Sequence, residues 1–184
     1  MSDDKAKRAI TAAADVFLRY GYARTTMGDI AKAAGMSRPA LYLLFPGKEQ
    51  LFAAATMQMS KQRLEDIRAA IHDCDGLQQK LVVGFEMLLL GVFALQQTTP
   101  DARDMDDLSF PVVGEIYTMF VGFFAEVINE ARTRISMPAD QIARVLLFGL
   151  RGLREVAKSE EDFAQMIRLH IALVSDAGLG SNNR

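Results

Sequence analysis

Ser37, Arg38, Pro39, Ala40 and Tyr42 crowd hydroxyls, one guanidinium and small apolar groups into a six-residue stretch. That mixture suits recognition of base edges by hydrogen bonds and close contact, rather than the making or breaking of bonds. The residues around them explain how such a stretch is held outward. Thr26 with Asp29 three residues on is a variant of the capping box, so a helix is expected to start at Met27, with Thr26 Oγ accepting a backbone N–H of the first turn. Ile30, Ala31 and Ala34 form its inward stripe. Gly35 stands where the chain needs a positive φ, and Met36 plugs the corner with an apolar side chain. Ser37 is a good N-cap for a second helix, with Pro39 in the first turn, where a missing N–H costs nothing. Leu41 and Phe45, four apart, face inward together, and Pro46-Gly47 stops the helix. Residues 26–45 therefore read as a helix-turn-helix whose second helix presents the polar end that enters a DNA groove.

The run Ile10-x-x-Ala-Ala-x-x-x-Phe17, then Gly21-Tyr22, Thr25-Thr26-x-x-Asp29-Ile30-Ala31-x-x-Ala34-Gly35-x-Ser37, Leu41-Tyr42-x-x-Phe45 and Lys48-x-x-Leu51 resembles the N-terminal domain of TetR-type (tetracycline-repressor-like) transcriptional regulators. The resemblance covers the first quarter to third of the chain. It implies an all-α homodimer whose variable C-terminal domain binds a small molecule that alters DNA affinity. Carried over by position, it implies that Thr25, Thr26, Ser37, Tyr42 and Lys48 hold phosphates while Arg38, Pro39 and Ala40 face bases. Arg38 would read a guanine through O6 and N7, and Pro39 and Ala40 offer only apolar contact, for instance to a thymine methyl. Leu43 and Leu44 depart from the aromatic or basic residues common in the family at these positions.

Charge divides along the chain in the same sense. Residues 1–50 hold eight Lys/Arg against five acids, a surplus of three, whereas the remainder carries a net charge of −5. A basic head on an acidic body is the electrostatic footprint of one end that meets phosphate, although a chance asymmetry of a few charges gives the same count.

The helical period continues to the C-terminus, giving an expected all-α fold of about nine helices without strands. Helix one spans 3–20 with Gly21 as its stop, and a long fourth helix spans 48–71. A fifth, 77–97, is apolar on nearly every side. A polar break at 98–109 holds a short sixth. Helices over 110–135 and 139–158 and a last one capped by Ser159 and Asp162 complete the set. By role, the chain is expected to divide into a DNA-binding head (1–47), a connecting helix and linker (48–75), a ligand-binding and dimerisation body (76–180) and a disordered tail (181–184).

Phe85, Glu86, Leu89, Phe93, Phe110, Tyr117, Phe120 and Phe124 lie on the helices where the resemblance implies a pocket for a small apolar ligand. Phenylalanines at helical spacing also serve as ordinary core. Glu86, the one charge in its stretch, must meet either a ligand or an arginine of another helix, or turn to water. Ile142, Leu146, Gly149, Leu153, Phe163, Ile167, His170 and Val174 form stripes on the last two helices. These suit either a four-helix dimer interface, as the resemblance implies, or packing inside one subunit.

Two histidines and one cysteine, Cys74, provide no nucleophile–base constellation, so no enzyme and no cofactor are expected. His72-Asp73-Cys74 could supply metal ligands, but three consecutive positions converge poorly. The single cysteine fits a reducing cytoplasm. The first residues lack the apolar stretch of a signal peptide. The run 81–95, interrupted by Gly84, Glu86 and Gly91, is shorter than the ~20 residues that span a bilayer, so no membrane partner is expected. The expected protein is a sequence-specific regulator, a ligand-responsive repressor binding double-stranded DNA at a pseudo-palindromic operator. The alternative is a dimeric small-molecule-binding protein with weak or lost specific DNA binding.

Overall fold

The computed structural model describes residues 2–131 and 137–178, and among these the fold is all-α, with eight α-helices, one 3-10 helix and no strand. The helices are α1 (Ser2–Arg24), α2 (Met27–Ala33), α3 (Arg38–Leu44), α4 (Lys48–His72), α5 (Gly76–Thr98), α6 (Pro111–Glu130), α7 (Ala139–Arg154) and α8 (Glu160–Gly178), with the 3-10 helix Pro100–Asp106 between α5 and α6. The end of the helix expected over 110–135, and the tail 181–184, lie outside the described residues.

By packing, the chain forms two units, residues 1–62 with 95–116, and residues 63–94 with 117–184. The first therefore includes a segment that the division by role gave to the body. The reason is the 3-10 helix, which packs on the end of α1. There Gly21 adopts φ 73° and ψ 171° and breaks α1, and a Cβ at this position would stand 2.1 Å from the carbonyl oxygen of Asp101. Only glycine satisfies both conditions. The break exposes the amides of Tyr22 and Ala23, which have lost their intrahelical partners. Asp104 receives both: Tyr22 N–H donates to Oδ1 at 2.8 Å and Ala23 N–H to Oδ2 at 2.7 Å. Arg24 adds an ion pair with Asp101 at 2.5 Å.

Aromatic rings fill the core of the first unit. Phe17 and Phe52 meet edge to face at 5.2 Å, and Phe110 lies 4.6 Å from Tyr22 and 5.0 Å from Phe52. Phe110, expected in the ligand pocket, thus belongs to the packing beneath the head.

In the second unit, Phe85 stacks on Phe124 at 3.9 Å, and Phe93 packs at 5.4 Å against Phe163. Gly84 makes the first contact possible, since a Cβ there would stand 2.7 Å from Phe124 Cε1. Ile142, Leu146, Phe163 and Ile167, expected at a dimer interface, are buried inside this unit. Gly149 lies against the imidazole of His170, its would-be Cβ 2.6 Å from Nε2. Val145, Phe148, Val156, Leu169 and Leu173 are the apolar side chains that α7 and the following residues, together with α8, leave exposed. Of the other residues expected there, Gly149, Leu153, His170 and Val174 are half-buried.

Helices α5 and α6 are long and apolar enough to cross a membrane by length and composition alone. Leu81, Phe85, Leu89 and Phe93 of α5 and Phe120, Phe124 and Ile128 of α6 are instead buried against protein.

Candidate nucleic-acid interface

The capping box at Thr26 is complete. Asp29 N–H donates to Thr26 Oγ at 3.2 Å, Thr26 N–H donates to Asp29 Oδ2 at 3.0 Å, and the Thr26 hydroxyl donates to the same oxygen at 2.6 Å. The Thr26 hydroxyl bond, then its backbone bond, and the nearby charges of Lys32 and Arg38 hold the Asp29 carboxyl below the usual carboxylate range. After α2, Gly35 takes φ 63°, and Met36 N–H donates to Ala31 O at 3.0 Å, closing the turn. Ser37 then caps α3, accepting from Ala40 N–H at 3.3 Å, which leaves its hydroxyl hydrogen for another acceptor. Leu41 alone of α3 is fully buried. Arg38, Pro39, Tyr42 and Leu43 are exposed, and Ala40 and Leu44 half-buried.

Two of the expected phosphate contacts turn inward. Thr25 is 2 % exposed, and its hydroxyl donates to Gly21 O at 2.7 Å. Lys48 directs Nζ at the carbonyls of Tyr22, Thr25 and Ala23, at 2.8, 3.1 and 3.5 Å, and sits 4.1 Å from the centre of the Tyr22 ring. The carbonyls are those a broken helix end leaves unpaired, and an ammonium is the group that satisfies several at once. Residues 21–25, just before the cap of α2, are thus gripped by a cation on their carbonyls and by the Asp104 anion on their amides. Burial, followed by the charges of Glu49 and Asp104, pushes the Tyr22 phenol above its ordinary value.

Sequence reasoning missed Asp104, Gly28 and the exposure of Leu43. Asp104 lay in an acidic stretch with no local signal of its partner. Gly28 marks where Arg38 lies: a Cβ there would stand 3.8 Å from both Cδ and Nε of Arg38, an ordinary contact, so the arginine runs beside the first turn of α2.

The residues expected to line a ligand pocket divide. Phe85, Leu89, Phe93, Tyr117, Phe120 and Phe124 are buried in the second unit, where Phe85 stacks on Phe124, Phe93 packs on Phe163 of α8 and Tyr117 on Phe148 of α7. Glu86 accepts from Arg168 Nε at 2.8 Å, so of the three partners its position allowed it takes an arginine of another helix. A cavity of about 200 Å³ in this unit, lined by Arg68, His72, Lys80, Phe123 and Glu126 among others, takes none of the expected residues. Cys74 Sγ donates to Ala70 O at 3.5 Å, and among the described residues no group of three His, Cys, Asp or Glu is placed to hold a metal ion.

The profile of the bacterial regulatory proteins of the tetR family matches residues 9–55, the segment holding the capping box, the Gly35 turn and α3. The N-terminal domain of this chain belongs to the tetR family. Curated relatives agree over the same region. The HTH-type transcriptional activator FasR of Mycolicibacterium smegmatis is 30% identical over 84 residues, covering 46% of this chain and 38% of that protein. The probable acrEF/envCD operon repressor of Escherichia coli (strain K12) is 36% identical over 77 residues, 39% of this chain and 35% of that one. The chain thus spans little more than a third of the length of these relatives. Solved structures extend the likeness of fold to nearly the whole chain. A transcriptional regulator from Rhodococcus sp. Rha1 superposes with a TM-score of 0.73 at 19% identity, over 94% of this chain and 97% of that one. A TetR-family regulator from Cytophaga hutchinsonii gives 0.68 at 19%, over 93% and 94%. In this TetR-family head, the corner 21–25 and the α2 cap set the position of α3.

Proposed function

We propose that this protein is a sequence-specific DNA-binding transcriptional regulator, acting in the cytoplasm as a homodimer that places two copies of α3 in successive major grooves of a pseudo-palindromic operator. The observation that carries the reading is α3 itself. It is a short helix capped at both ends, anchored by Leu41 and leaving Arg38, Pro39, Tyr42 and Leu43 to solvent at the end of a head with a surplus of positive charge. In this reading Arg38 bonds a guanine edge, and Ser37, Tyr42 and the first turn of α2 meet the backbone. Thr25 and Lys48 act from inside, by fixing the corner. Dimerisation uses the exposed Val145, Phe148, Leu169 and Leu173 rather than the buried stripe. By occupying the operator the protein represses, and a small apolar ligand entering among the aromatic side chains of the second unit alters its grip on DNA. The proportion of apolar and aromatic side chains there supports that assignment.

Selection of bound sequences from a pool of random duplexes, at moderate and at raised salt, tests the proposal. A two-fold-related motif that survives the higher salt is the expected result. Retention that vanishes with salt and leaves no motif would refute it, in favour of a ligand-binding dimer whose head no longer reads sequence.

A further inference from the structure

Leu43 is 88% exposed, more than any other large apolar side chain among the described residues. A leucine in that position contributes almost nothing to the stability of the head, because burial is what stabilises and it has none. It does not stand alone. Pro39 lies four residues earlier on the same face of α3 and is exposed too, so the two make an apolar ridge running along the helix. Arg38, at the start of the ridge, supplies the single charged donor of the helix. A face built this way cannot choose bases by hydrogen bonds beyond the reach of Arg38. What it can recognise is the one apolar group that the major groove displays, the 5-methyl of thymine.

Resting on the DNA-binding reading above, we infer that Pro39 and Leu43 read two thymine methyls in each half-site, spaced two base-pair steps apart, beside the guanine read by Arg38. The spacing follows from geometry. Residues four apart on an α-helix are separated by about 6 Å along its axis. Two steps of a DNA strand are about 6.8 Å. A helix lying along the groove therefore brings the two side chains over bases i and i+2, and Leu44, half-buried, is turned away from them.

The test begins with the operator recovered by selection from random duplexes. Each thymine of a half-site is then replaced in turn by deoxyuridine, which removes the methyl and keeps every hydrogen-bonding group. Two positions, two steps apart, are expected to lose about four-fold in affinity each, the factor for burying roughly one methylene-sized group (~0.8 kcal/mol). The Leu43→Ala protein, folded because the side chain it lacks was in solvent, should bind the thymine operator more weakly. It should be indifferent to deoxyuridine at one of the two positions while remaining sensitive at the other. Equal binding of thymine and deoxyuridine operators throughout would overturn the inference and leave the regulator intact. So would a Leu43→Ala protein that keeps both sensitivities, or one that only loses self-association. A selection that yields no motif would remove the DNA-binding reading itself, and this inference with it.

Discussion

Asp104 gives the sharpest test of how the head is held. Replacing it by alanine strands two amides that the break at Gly21 has already deprived of helical partners. A hydrogen bond to a charged group is worth about 1.5–3 kcal/mol. Ala23 N–H is exposed and water replaces its partner, so it adds little, whereas Tyr22 N–H is part-buried and bears most of the loss. Asp104→Ala should thus cost about 2–3 kcal/mol, a shift in the urea midpoint of about 1 M for a slope of 2–3 kcal/mol/M. Asp104→Asn, which keeps one acceptor oxygen, should cost about half as much. The chain has no tryptophan, and three of its four tyrosines, Tyr20, Tyr22 and Tyr42, lie in the first unit, so tyrosine fluorescence reports that unit directly. Operator affinity should fall in parallel and by the same factor on every sequence, because the corner orients α2 and α3 without touching a base. If Asp104→Ala unfolds at the wild-type midpoint, the clamp contributes nothing and the argument built on it fails.

Four other outcomes follow from the same geometry. Lys48→Ala should weaken DNA binding uniformly while leaving the salt dependence unchanged, since its ammonium is spent on the carbonyls of residues 22–25; a slope shallower by about one would place it on a phosphate instead. Gly84→Ala should destabilise by about 1–2 kcal/mol as the new Cβ meets the Phe124 ring, whereas Gly122→Ala, with open space around it, should stabilise by up to ~1 kcal/mol; equal effects in denaturant would contradict this. The depressed folded-state value of Asp29 means that the α2 cap is at full strength above the ordinary aspartate range, about pH 4, and is lost as pH falls through the lowered value. Amide exchange at Asp29 and Ile30 should rise there, and Asp29→Asn should abolish that pH dependence. Leu169→Glu with Leu173→Glu should yield monomers on a sizing column with helicity intact, and a dimer that survives both changes would move the interface elsewhere.

The head was legible because its signals are local. Thr26 and Asp29 are three residues apart, Gly35 directly follows the C-cap Ala34, and Ser37 with Pro39 opens the next helix, so each pattern specifies its own hydrogen bonds. What escaped the sequence was long-range. Nothing about an aspartate in TTPDARDMDDLS indicates that it meets an amide 82 residues earlier. Phe110 looks like every other phenylalanine of its helix until the chain returns it to Tyr22 and Phe52. In α7 and α8 the period reveals that apolar side chains are present but not which face meets the neighbouring helix. Ile142 and Ile167 are enclosed, whereas Val145 and Leu169, one step round, are left in solvent.

The distance between Asp104 and the amides it holds also sets an order of events during synthesis. Residues 1–47 leave the ribosome long before Asp104 has been added, and at about 5–20 residues per second the wait after Ala23 is roughly 4–16 s. Throughout that interval the break at Gly21 has no anion, so the helix-turn-helix lacks half of its anchorage. A nascent head therefore gains this part of its anchorage only after the whole of α5 and most of the 3-10 helix have been made.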